Sequence, residues 1–271
     1  MQRLFITTVL LLFVAQICKG QHTDSLYKLL SRTQSDSAKA RILGDLAYLI
    51  SSNNPDSALK LGWQGMALAK KARSKPAEAN CLQSIGWTYF RSGKNDSAIL
   101  FLTEATGIFH GLKRAWDEGR CLKNMGSVYS STRDYTKAFA CLIPAKKLFE
   151  DLHDERYAAY IDKEIGGIYR QKGMLNLARQ YLSAAIETFE SLHDNAYLAD
   201  AFSAYGSVFW AMKEYDSALL YYRKEYKLCL TTGATANEAY AAENMANAFE
   251  AKCGEKNISP WADSALFYIT N

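Results

Sequence analysis

The sequence lacks the motifs that mark most enzymes and nucleic-acid-binding proteins. It has no GxSxG, HExxH or Walker A motif, and no GxGxxG in a strand–helix context. Its acidic clusters fall at the starts of predicted helices, where carboxylates favour the helix dipole. The net charge is only +4, and nucleic-acid binding needs a concentrated basic patch that the chain does not have. We therefore predict no catalytic residues, no cofactor and no nucleic-acid partner.

Cysteine supplies neither a metal motif nor a disulfide scaffold. The chain has 6 cysteines and no CxxC spacing, and five remain beyond Cys18: Cys81, Cys121, Cys141, Cys229 and Cys253. Cys81 and Cys121 lie one repeat apart, on equivalent helices whose axes should be about 8–10 Å apart. A disulfide needs Cα atoms within about 7 Å. We therefore expect Cys81 and Cys121 to be reduced, and we interpret the five cysteines as small buried hydrophobic side chains.

Long apolar runs are also absent, apart from one at the N-terminus that ends at Ile17. A basic residue precedes this run, and Cys18 and Gly20 follow it at the spacing of a small-x-small cleavage site. This layout predicts a secretory signal peptide in residues 1–20 and a mature start at Gln21. The run is short for a membrane span, and the bulky Ile17 argues against lipid attachment at Cys18. The mature chain is expected to be exported, periplasmic or secreted, without a membrane span.

Self-similarity at a period of forty residues is the main positive signal. Four blocks align without gaps: 80–119, 120–159, 160–199 and 200–239. They share a glycine column (Gly86, Gly126, Gly166, Gly206), an alanine column (Ala98, Ala138, Ala178, Ala218) and an aromatic column (Phe109, Phe149, Phe189, with Cys229 in the fourth block). The small residues indicate close helix approach. Short breakers, RSGKN, STRDY, QKGML and AMKEY, divide each block into a helix, a turn and a second helix.

The pattern continues in weaker form at both ends, which gives about six hairpins over residues 21–271. In the degenerate block 40–79, Asn54 and Pro55 predict an N-cap and the first residue of a helix. The degenerate block 240–271 leaves an apolar edge, formed by Leu266, Phe267 and Ile269. That edge has two interpretations: it contacts a partner or a second copy, or the natural protein continues.

The columns resemble the tetratricopeptide repeat, whose signature places Gly, Tyr, Ala and Phe across a helical hairpin. The match is close in IGWTYFRSGKNDSAILFLTEA and YGSVFWAMKEYDSALLYYRKE. The period is forty rather than thirty-four, so longer helices are expected, and the proline that usually ends the second helix is missing. The long form resembles exported input regions of bacterial sensor histidine kinases. The resemblance implies an all-α fold, a right-handed α-solenoid of antiparallel helical hairpins.

The resemblance also implies a binding surface, because first helices in this family line a concave groove that holds peptides or protein segments. The corresponding positions are Asn80, Gln83, Trp87, Phe90, Arg91, Arg120, Lys123, Asn124, Lys163, Arg170 and Trp210. Lys123, Asn124 and Lys163 match part of the pattern that holds a peptide carboxylate in some members. Two other interpretations stay open: the tryptophans pack against adjacent repeats, and the basic residues form a solvated face.

The most specific-looking phrase, FEDLHD and its repeat FESLHD, has a structural interpretation. His153 and His193 follow second helices, whose negative ends favour a cation. Asp154 and Asp194 precede the next helix, where a side-chain oxygen can cap free N–H groups. A metal needs three or four converging ligands, so no metal site is predicted.

Taken together, these patterns predict a non-enzymatic scaffold that binds a protein or peptide segment. One alternative is the periplasmic sensory input region of a membrane-bound sensor histidine kinase or related regulator. A third hypothesis is a secreted subunit that self-associates through the C-terminal edge.

Overall fold

The computed structural model describes residues 23–232 and 235–255, and all regular structure in these ranges is helical. The helices are α1 (23–32), α2 (Asp36–Ile50), α3 (Pro55–Lys71), α4 (Lys75–Arg91), α5 (Asn95–Gly111), α6 (Ala115–Ser131), α7 (Tyr135–Asp151), α8 (Glu155–Gln171), α9 (Leu175–Ser191), α10 (Asn195–Ala211), α11 (Tyr215–Thr232) and α12 (Thr235–Glu255). Helices α3 to α10 each contain 17 residues. Two such helices and two three-residue connections account for the forty-residue period.

Several expectations fall on parts of the chain that are not described. The predicted signal peptide in residues 1–20 and the apolar edge at Leu266, Phe267 and Ile269 lie outside the described residues. Helix α1, in contrast, is described and was not predicted from the sequence. None of the described helices is both long enough and apolar enough to cross a bilayer.

The chain divides into two compact units. In the N-terminal unit, which ends at Asp154, α2 packs against α3 and α4, and each later helix up to α7 packs against its predecessor. In the C-terminal unit, which begins at Glu155, α8 to α12 pack in sequence in the same way. Each unit is a stack of antiparallel hairpins, which confirms the all-α, solenoid-type class. We call the even-numbered helices from α2 to α12 first helices and the odd-numbered helices from α3 to α11 second helices.

The glycine column lies where the two helices of a hairpin touch. A Cβ added to Gly126 would stand 2.6 Å from the side chain of Leu142, and one added to Gly166 would stand 2.7 Å from that of Leu182. Such distances are well inside van der Waals contact, so only glycine permits this approach. The alanine column opposite is completely buried. The repeated small residues therefore set the spacing of the two helices within each hairpin, as the sequence predicts.

Between α3 and α11, each connection that joins two consecutive helices contains one residue with a left-handed backbone. It is glycine at Gly93 and Gly173 but a larger residue at the other positions, among them Arg133 with φ 61° and His153 with φ 54°. At the α7 end, His153 N–H donates to Glu150 C=O and Asp154 N–H donates to Phe149 C=O. This is the Schellman pattern, in which the left-handed residue lets the orphan carbonyls be satisfied. The connections are thus helix caps rather than open loops.

The described cysteines, Cys81, Cys121, Cys141, Cys229 and Cys253, are free and buried. Burial raises the pKa of the Cys81 and Cys121 thiols to about 12. Because the thiolate is the reactive form, these side chains are chemically inert and act as small apolar groups. Their predicted role is confirmed.

Candidate functional site

First helices of the N-terminal unit bring polar and aromatic side chains together in one place. We call this group the Arg120 cluster, and it consists of Tyr48 on α2, Gln83 and Trp87 on α4, and Trp116, Arg120, Lys123 and Asn124 on α6. Five of the seven are among the predicted groove residues. Tyr48 and Trp116 were missed, Tyr48 because the first hairpin departs from the repeat columns and Trp116 because it lies outside the columns assigned to the groove.

Arg120 is the centre of this cluster. Its Nη2 donates a hydrogen bond to Gln83 Oε1. The guanidinium carbon lies 5.1 Å from the centre of the Trp116 ring and 5.7 Å from the centre of the Tyr48 ring. The nearest carboxylate, Asp117, is 3.8 Å away. The positive charge is therefore held mainly by aromatic rings and an amide, and 19% of the side chain is exposed.

A second cation–aromatic contact lies beside the first. The Lys123 ammonium is 5.2 Å from the centre of the Trp87 ring, although only 6% of Lys123 is exposed. Trp87 in turn stacks on Tyr48 with ring centroids 5.7 Å apart, and its ring is 5.1 Å from that of Phe90. The packing interpretation of Trp87 is thus correct in part, because a neighbouring repeat covers one face. The side chain remains half-buried.

Three amide side chains on α4 and α6 are buried and carry hydrogen-bonding atoms without a partner. Gln83 and Asn124 have no exposed surface, and Gln83 Nε2 and both polar atoms of the Asn124 side chain have no partner. Asn80 donates to Asp45 Oδ1 at 3.0 Å, but its own Oδ1 has no partner. Buried polar groups in folded proteins are nearly always paired. Gln83 and Asn124 both belong to the Arg120 cluster, so their unpaired atoms are a distinctive feature of it.

The predicted groove residues therefore do not all form a surface. Asn80, Gln83, Lys123 and Asn124 are buried, whereas Arg91 is exposed and Phe90 and Arg120 are half-buried. A solvated face, the alternative interpretation of the basic residues, holds for Arg91 but not for Lys123. Periodicity placed these residues on the correct helices, but it could not tell which of them a neighbouring first helix covers.

The other three predicted residues lie in the C-terminal unit. The Lys163 ammonium is 4.5 Å from the centre of the Tyr160 ring and is paired with Glu164 at 3.5 Å and Asp200 at 3.9 Å. Arg170 and Trp210 line a pocket of 490 Å³ together with residues of α10, α11 and α12. Trp210 is 47% exposed, so neighbouring repeats cover only about half of it. We call this cavity the Tyr222 pocket, after the second-helix residue that lines it.

The two His-Asp phrases do not converge. His193, like His153, supplies the left-handed residue of a connection, with φ 52°. Asp194 Oδ1 accepts from Tyr197 N–H at 3.3 Å, the predicted N-cap contact, while Asp154 Oδ2 accepts from Trp116 Nε1 at 3.0 Å. Among the described residues, no three His, Cys, Asp or Glu side chains are placed to hold a metal ion.

Comparison with known proteins agrees with the helical-repeat fold. Residues 157–230 match the family model described as tetratricopeptide repeat. No curated protein matches the sequence. Among solved structures, BtubC (BKLC) from P. vanneervenii is similar with a TM-score of 0.62 and 17% identity, over 80% of this chain and 90% of that chain.

Two further similar structures are complexes. A Rap protein complexed with Competence and Sporulation Factor gives a TM-score of 0.63 at 15% identity, over 89% of this chain and 73% of that one. NprR in complex with its cognate peptide NprX gives 0.62 at 15% identity, over 97% of this chain and 76% of that one. At these identities the likeness establishes the fold alone. The family match and the shared fold support a tetratricopeptide-type repeat architecture, a fold generally used as a non-enzymatic scaffold.

Proposed function

We propose that the protein is a non-enzymatic scaffold that binds a peptide or protein segment at the Arg120 cluster. The observation that carries this proposal is the set of unpaired amide atoms of Gln83 and Asn124 beneath two cations held by aromatic rings. An unpaired buried amide costs about 1–3 kcal/mol. A folded chain keeps such a cost more readily where the group has a partner in another state, as at binding sites.

The chemistry of the cluster indicates the kind of segment. Backbone C=O groups of an extended peptide can accept from Gln83 Nε2 and Asn124 Nδ2, and a backbone N–H can donate to Asn124 Oδ1. Arg120 suits an acidic side chain or a carbonyl. Trp87 and Tyr48 suit an apolar side chain, since aromatic residues and arginine dominate interface hot spots. Gln83 and Asn124 have no exposed surface, so a peptide reaches their amides only when neighbouring side chains move, which is an ordinary interface adjustment.

Selection from a random-peptide display library tests this proposal. The full chain should enrich related sequences, and synthetic versions of these should bind it in calorimetry. Trp87→Ala should weaken that binding by at least about tenfold. Trp63→Ala is the control, because Trp63 is a tryptophan of the same unit that lies on the second helix α3, where 43% of it is exposed. An equal loss of peptide affinity in both variants, or no loss in either, would contradict the proposal.

We also propose that the chain is exported, on the strength of the apolar run that ends at Ile17 and the following Cys18-x-Gly20 spacing. N-terminal sequencing of the protein recovered from an expressing cell tests this. A mature start at Gln21 supports export, and a retained N-terminus contradicts it. If a membrane-bound kinase carries this region, a selected peptide should change its autophosphorylation. A peptide-insensitive kinase would count against the sensory-input alternative.

A further inference from the structure

The Tyr222 pocket breaks the repeat at a position where the other three blocks agree. Leu102, Leu142 and Leu182 cover the glycine column in their blocks, and Tyr222 occupies the same position in the fourth. Its ring lies against Gly206, where an added Cβ would be 2.6 Å from Tyr222 Cε1. Leucine is sufficient for hairpin packing, as three blocks demonstrate. The tyrosine therefore adds atoms that the hairpin packing of the other blocks does not use.

The additional atoms of Tyr222 reach the first-helix side of the unit. Its hydroxyl donates to Ser207 Oγ at 3.2 Å, and both residues line the pocket. Only 4% of Tyr222 is exposed, and burial raises the pKa of its phenol, so the hydroxyl stays neutral. The fourth block thus places a hydrogen-bonded hydroxyl in the lining of the cavity, where the other blocks have a leucine methyl group.

The walls of the pocket carry opposite charges. Arg170, Trp210 and Glu250 are forty residues apart in sequence and occupy one column on α8, α10 and α12. The guanidinium and the carboxylate therefore lie on either side of the exposed indole. Within the described residues, neither Arg170 nor Glu250 makes an ion pair, whereas Lys163 and Lys252 of the same unit do. Two unpaired charges of opposite sign across one cavity match a ligand that carries both signs.

Amide groups complete the lining. Asn244 and Asn247 of α12 both face the pocket, and Asn244 Nδ2 is buried without a partner. Primary amides offer both a donor and an acceptor, as a peptide bond requires. The volume of 490 Å³ falls within the roughly 300–1,000 Å³ usual for small-ligand sites.

The separation of the charges sets the length of the ligand. Packed helices are typically about 8–10 Å apart, so we expect a separation of roughly 16–20 Å between α8 and α12. The inward reach of two long side chains reduces the gap to roughly 10 Å, which an extended peptide of about three residues spans at ~3.3–3.6 Å each. A free amino acid is too short to touch both charges.

We propose that the Tyr222 pocket binds a short peptide with free termini, its carboxylate at Arg170, its ammonium at Glu250 and an apolar side chain on Trp210. This inference does not depend on the function assigned to the Arg120 cluster, because the two sites lie in different units and have different linings.

Calorimetry with the tripeptide Ala-Phe-Ala and its blocked forms tests this on the full chain. The free-ended tripeptide should bind, and N-acetylation or C-amidation should each weaken it by at least about tenfold. In Arg170→Gln the amidation penalty should disappear while the acetylation penalty remains, and Glu250→Gln should show the reverse. Free phenylalanine should bind at least about tenfold more weakly than the tripeptide.

Three variants serve as controls. Arg179→Gln and Glu243→Gln remove exposed charges of the same unit outside the pocket, and both penalties should persist in them. Tyr222→Leu restores the residue of the other blocks, so it should keep the thermal midpoint and lose affinity. The proposal is overturned if the wild type does not bind the free tripeptide, if blocked peptides bind equally well, if the two penalties do not separate, or if Tyr222→Leu binds like the wild type.

Discussion

Replacing Asn124 by leucine should stabilise the N-terminal unit and weaken its binding of peptides. Asn124 has no exposed surface, and neither its Oδ1 nor its Nδ2 has a partner. An amide buried in this way costs about 1–3 kcal/mol, and leucine of similar volume removes that cost. We therefore expect the free energy of unfolding to rise by about 1–3 kcal/mol. For a unit of this size, each kcal/mol should raise the thermal midpoint by ~4 °C.

Thermal and urea denaturation followed by tryptophan fluorescence measure this change. Trp63, Trp87 and Trp116 all lie in the N-terminal unit, so the signal mainly reports the relevant transition. Gln64→Leu, at an exposed position of α3 in the same unit, is the matched control and should change stability by less than about 0.5 kcal/mol. If Asn124→Leu loses more than about 1 kcal/mol, its amide is hydrogen-bonded in the free protein, and the reasoning behind the Arg120 cluster fails.

Three further predictions concern the rest of the fold. Gly126→Ala should destabilise the N-terminal unit by about 1–3 kcal/mol, because the added methyl group overpacks against the neighbouring helix. Gly107→Ala, where a Cβ meets nothing within 4 Å, should stabilise the same unit by about 1 kcal/mol. Equal effects of the two substitutions in urea denaturation would contradict the close approach at Gly126. His193→Gly should raise the free energy of unfolding by about 1 kcal/mol, because φ at this position is 52° and a left-handed backbone costs a residue with a side chain about that much. Added zinc should not shift the melting temperature of the wild type or of this variant. Burial raises the pKa of Glu225 from 4.5 to about 7, so the folded state binds the proton more tightly and stability should fall as pH rises from about 4.5 to 7. Glu225→Gln should remove that slope in melts across the range, and an unchanged slope would show that other groups cause it.

The repeat itself was predictable because it depends on local rules. Small residues at Gly126 and Ala138, and the breakers after each helix, recur at a fixed spacing. Each repeat packs against its immediate neighbours through the same set of positions. The hairpins, the length of the helices and the buried columns follow from that spacing.

The candidate sites depend on contacts between repeats, which the period does not specify. The forty-residue register places Gln83 and Lys123 in the same column, but only the structure shows that Gln83 accepts from Arg120 while Lys123 lies over Trp87. Tyr222 was visible in the sequence as a departure from a leucine column. Its meaning required the position of α12, which supplies part of the pocket and belongs to a block whose pattern is weak.

The most direct test of binding at the Arg120 cluster is hydrogen–deuterium exchange with and without a display-selected peptide whose binding requires Trp87. Binding there should slow exchange in α4 and α6, with little change in the second helices α3 and α5. Protection confined to the second helices, or to α8–α12, would place the peptide elsewhere and contradict the proposed function.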